Sequence, residues 1–97
     1  MKESQTILQN QKEFLKHLKS KFVLIHLSNL FFRDLQYGVL SYLHDHGRNV
    51  SYKAADRIAR EVAAGLEQDG ILKKIDHQSW LLHYPEFALP RIEKKAS

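Results

Sequence analysis

The sequence predicts a mainly α fold with one small β-hairpin and an extra helix at its amino end. Three observations carry this. At about 100° per residue, Ala55, Ile58, Ala59, Val62 and Leu66 fall on one side of a helix spanning 51–69, while Lys53, Arg57 and Arg60 fall opposite. Gly70 then stops that helix as a C′ glycine does, because it takes the left-handed conformation without a Cβ clash. Two short apolar runs follow, Ile71 to Ile75 and Trp80 to Tyr84, with turn-type Asp76-His77-Gln78-Ser79 between them, the signature of a hairpin.

The totals bound the reading. A chain of 97 residues holds one domain with a modest core, and 43% hydrophobic with 27% charged residues is the composition of a chain that folds. Cysteine is absent, which removes disulfides and thiolate chemistry and fits a reducing compartment, so a cytoplasmic location is expected. No apolar run reaches the roughly 18 residues a membrane span needs, so no membrane partner is expected. The net charge of +4 favours a polyanionic partner.

Taken in order, residues 4–20 form an amphipathic helix that Ser4 could cap. Ile7, Leu8, Phe14, Leu15, Leu18 and then Phe22 recur at helical spacing, with Lys12, Lys16 and Lys19 off the stripe. An apolar stripe of this length needs a cover. The expected cover is a second copy, making 4–27 a dimerisation extension; the alternative is the chain's own domain. Residues 22–32 are the most apolar stretch, and periodicity does not separate strand from helix there. With Ser28 or Asn29 as N-cap, a helix is expected from about Leu30 to His46, facing inward through Phe31, Leu35, Val39, Leu40 and Leu43 and ended by Gly47. Gly38 inside it marks a close helix crossing. Ser51 caps the next helix. Pro85 closes the second hairpin strand, and the tail 85–97 could dock through Phe87, Leu89 and Ile92.

The residues that carry chemistry are mostly cationic. Lys53, Arg57 and Arg60 lie where a groove-entering helix needs donors to phosphates and guanine acceptors, although Asp56, Glu61 and Glu67 flank them and would also suit a solvated mixed-charge face. Arg48 before the helix and Lys73 and Lys74 on the hairpin would add backbone contacts, whereas Trp80 and Tyr84 read as core. The histidines at 17, 26, 44, 46, 77 and 83 lack a metal-ligand pattern. No phosphate loop or nucleophile elbow is present. Neither enzyme activity nor a metal or cofactor is expected.

Leu40-x-x-Leu43 with Gly47, Ile58-Ala59 with Val62 and Leu66-Glu67, and Gly70-Ile71-Leu72 before a hairpin together resemble the winged helix-turn-helix superfamily over about residues 30–84. The resemblance implies a winged-helix-like core whose recognition helix is 51–69 and whose wing is the hairpin. One departure concerns the span from Gly47 to Gly70, which holds either one helix or a reduced second helix merged with a third. The function implied is that of a small dimeric transcriptional regulator binding double-stranded DNA through Arg48, Lys53, Arg57, Arg60, Lys73 and Lys74. A non-enzymatic protein-interaction module, an adaptor built on the same fold, is the alternative.

Overall fold

A computed structural model describes residues 2–89. Its elements run α1 (Glu3–Gln9), α2 (Gln11–Lys21), β1 (Asn29–Phe31), α3 (Phe32–Asp45), α4 (Tyr52–Gln68), β2 (Leu72–Asp76) and β3 (Ser79–Leu82), ending in a 3-10 turn at Pro85–Phe87. The chain is thus mainly helical with a small antiparallel sheet of order β1-β3-β2.

The expected amino-terminal helix is two helices. The Asn10 amide Nδ2 donates to the Thr6 carbonyl at 2.9 Å, ending α1 by competing for its last acceptors. Ser4 is not the cap. It lies within α1, and its hydroxyl donates to Glu61 on α4 at 2.7 Å. Ile7, Phe14, Leu15 and Leu18 have no exposure at all, and Leu8 and Phe22 pack half-buried against the same core. The stripe expected to meet a second subunit therefore covers the chain's own α3 and α4. Phe14 meets Tyr42 edge to face at 5.4 Å, and Leu8 lies against Gly65.

The apolar stretch before α3 also departs from expectation. Ser28 spends its hydroxyl on the Ile25 carbonyl, closing a turn rather than capping a helix, and Leu27 takes φ +70° to complete it. Asn29, Leu30 and Phe31 then pair with Leu81, Trp80 and Ser79. This strand has its partner some fifty residues downstream, so no local pattern could announce it. Phe31 consequently sits outside the core, 52% exposed, while Phe32 and Tyr42 are buried in α3 beside Leu35, Val39 and Leu43.

Residues 52–68 form a single helix, capped by the Ser51 hydroxyl accepting from the Ala54 N–H at 3.0 Å. Gly47 and Gly70 both have φ near +80°, the left-handed stops expected of them. Among the described residues no helix is long and apolar enough to cross a membrane. Phe87 is buried beneath the Lys19 ammonium and Leu89 is exposed; Ile92 lies outside the described residues.

Gly38 and Gly65 make a paired test of this packing. A Cβ at Gly38 would overlap the Leu18 Cδ2 methyl, which is fully enclosed where α2 crosses α3. Gly38→Ala is expected to destabilise by about 1–2 kcal/mol net of helix propensity. At Gly65 the obstacle is Leu8, half-buried and free to turn outward. Gly65→Ala should change stability by less than about 0.5 kcal/mol, because the gain in propensity offsets the shift. Urea denaturation of both variants reads the difference.

Candidate nucleic-acid interface

Helix α4 buries Ala55, Ile58, Ala59, Val62, Ala63 and Leu66, so its outer side is set by what the core leaves over. Lys53 and Arg57 are exposed there, and no salt bridge engages either among the described residues. Their cations are uncompensated and face water beside an open concavity that Ser51, Ala54 and Asp56 complete. Asp56 is the one carboxylate among those lining groups.

Arg60 has a different place. Its guanidinium lies 3.7 Å from the centre of the Phe32 ring, and Nη1 donates to the His77 carbonyl at 2.6 Å. Phe32 in turn packs on Trp80 at 6.3 Å, and the Trp80 indole N–H donates to Glu67 at 2.6 Å. Arg60 and Glu67 thus brace the hairpin against α4 from two points. The third point is the Phe32 N–H, which donates to the Gln78 carbonyl at 2.8 Å. Arg60 was expected fully exposed on the anion-facing side; it is half-buried and already engaged.

The remaining expected contacts separate. Arg48 donates from Nη2 to Glu3 at 2.5 Å, tying the turn before α4 to α1. Lys73 and Lys74 are neighbours on β2, paired with Leu81 and Trp80 respectively, and alternation sends their side chains to opposite faces of the sheet. They cannot grip one phosphate run together. The hairpin tip is short, only His77 and Gln78 between the strands. Asp76 closes it by accepting from the Gln78 N–H at 2.8 Å and the Ser79 hydroxyl at 2.9 Å. Those two donors, the Gln78 N–H first, hold the Asp76 carboxyl below its ordinary range, so the tip carries a fixed negative charge. The tip is a brace more than a phosphate clamp.

Arg33 was not singled out from the sequence. It is exposed in the first turn of α3, adjacent in the chain to the ring on which Arg60 rests. Its position becomes visible only once α3 is known to start at Phe32 and dock on the hairpin tip. Arg33, Lys53 and Arg57 are the exposed cations on the α3–α4 unit, with Arg60 beside them.

A second polar cluster joins α2 to α3. His17 Nε2 and Ser41 Oγ are 2.5 Å apart, and His17 Nδ1 is 3.8 Å from Asp45. The connectivity is that of a hydrolytic triad, but Ser41 is mid-helix, where neighbouring N–H groups are spent on the helical ladder. No donors converge to hold an oxyanion. Nearby, the Tyr42 hydroxyl donates to Glu13 at 3.1 Å and His46 Nε2 is 3.4 Å from the same carboxylate. Burial first, then the Glu13 bond, pushes the Tyr42 phenol up to about 12. Among the described residues no group of three His, Asp or Glu side chains is arranged for a metal ion.

Burial lowers the His17 pKa from 6.5, outweighing Asp45, which raises it. A histidine depressed in the folded state contributes stability at pH above 6.5 that is lost as pH falls through that value, because the unfolded chain then binds the proton more readily. Melting temperature is accordingly expected to fall between about pH 7.5 and 5.5, with a flatter profile in His17→Gln.

No protein-family model, no curated protein and no solved structure matches this chain.

Proposed function

We propose that the chain is a winged-helix protein that binds duplex DNA through the outer face of α4, in the manner of a small transcriptional regulator. The observation that carries this reading is the pair Lys53 and Arg57, exposed and uncompensated on a helix whose opposite side is locked into the core. The order of elements supports it: α3, a short connection, α4, and a hairpin braced against α4. A rigidly held helix with arginine and lysine in its first turns suits major-groove entry, with Arg33 added from the start of α3. Two such chains could address half-sites about 34 Å apart. Their pairing surface would lie elsewhere than the 7–22 stripe, which is internal.

Fluorescence anisotropy with a mixed-sequence duplex across a salt series tests the proposal. Binding that weakens steeply as salt rises, with a slope of about −0.9 per phosphate contacted, is expected. Absence of binding at low salt overturns it. The alternative, a protein-interaction module, draws on one observation: Leu27, Phe31 and Ile75, on or beside the sheet, are each more than half exposed. In that case Phe31→Ser would abolish partner capture and leave the fold intact.

A further inference from the structure

A groove of about 300 Å³ opens between α3 and the start of α4, lined by Tyr37, Leu40, Ser41, His44, Asn49, Val50 and Tyr52. Its size is at the lower end for small-molecule sites. Tyr37 and Tyr52 are 51% and 78% exposed, an uncommon outlay of aromatic surface beside a cavity. Both are held in place. The Phe22 ring meets Tyr37 edge-on at 5.9 Å, and the Tyr52 carbonyl accepts from the Gln36 amide at 3.4 Å. Leu40 and Val50 supply apolar wall.

The polar end is specific. His44 Nδ1 and Asn49 Oδ1 are 2.8 Å apart. An amide oxygen only accepts, so the neutral ring carries its proton on Nδ1, leaving His44 Nε2 as an acceptor and Asn49 Nδ2 as a donor. An acceptor beside a donor complements a ring nitrogen next to an exocyclic amine. With two phenol rings available for stacking, we infer that this groove binds an adenine-type base, its ring nitrogen accepting from Asn49 and its amine donating to His44. The inference stands independently of whether α4 meets DNA.

The test is a ¹H–¹⁵N correlation titration of the full chain with adenosine, and with inosine, whose corresponding edge has donor and acceptor reversed. Adenosine is expected to move the resonances of Tyr37, His44, Asn49 and Tyr52 in a saturable way, with inosine about tenfold weaker. Asn49→Asp replaces the donor with a group that only accepts, and should weaken adenosine about tenfold while the spectrum shows the fold unchanged. Tyr52→Ala, at an exposed site, should weaken adenosine and inosine alike. No saturable shifts up to about 10 mM adenosine, equal affinity for inosine, or an unaffected Asn49→Asp would each overturn the inference. A free nucleoside and a base within a single strand offer the same chemistry, and an oligo(dA) of about eight nucleotides separates them. Tighter binding with shifts extending to Lys53 and Arg57 assigns the strand; affinity equal to adenosine assigns the free base.

Discussion

Phe14→Ala is expected to destabilise the chain by about 3–5 kcal/mol. The ring is fully enclosed, meets Tyr42 edge-on and lies under the α2–α3 crossing at Gly38, so truncation leaves a cavity that the surrounding helices cannot fill. A domain of this size has a total stability of about 5–15 kcal/mol, and the variant should be largely unfolded in moderate urea. The same experiment reports where the stripe is used. Because Phe14, Leu15 and Leu18 are internal to one chain, the wild-type midpoint should not move with protein concentration; a stripe buried between two copies would make it rise with concentration.

Lys53→Glu/Arg57→Glu should lower duplex affinity by at least about 100-fold and reduce the salt slope by about 2. Thermal stability should be nearly unchanged, since both side chains are exposed and no salt bridge holds them among the described residues. Arg60→Ala is expected to behave in the opposite way. Losing the stack on Phe32 and the bond to His77 should cost about 1–3 kcal/mol of stability and loosen the hairpin. Its effect on DNA would follow from that loosening. Measuring melting and binding on the same samples separates a contact residue from a brace.

Local signals announced much of this fold. Ser51, Gly47 and Gly70 act through their own backbone or the next turn, and each marks the helix boundary expected of it. The apolar side of α4 is likewise a property of one helix. What the sequence did not disclose depends on distant partners. β1 exists because Leu30 and Phe31 meet Trp80 and Ser79, and the break at Asn10 depends on a side chain that could equally have pointed to water.

The site followed the same division. Helical spacing placed Lys53 and Arg57 opposite the core, where they are, yet it could not tell that Arg60 would turn toward Phe32 and His77 or that Arg48 would find Glu3. Both arginines met partners more than fifteen residues away. Lys73 and Lys74 were separable in principle, because adjacent residues on a strand face opposite ways. Glu67, read as an acidic flank, is the acceptor for the buried Trp80 indole.

The most direct test of the central claim is a ¹H–¹⁵N correlation map of the chain with and without a duplex at low salt. Shifts concentrated on Arg33, Lys53, Asp56, Arg57 and the His77–Gln78 tip, lost in Lys53→Glu/Arg57→Glu, are the predicted result. A map centred instead on α2 or on the outer sheet around Phe31 and Ile75, or one without shifts, would contradict the assignment of α4 as the DNA-binding face.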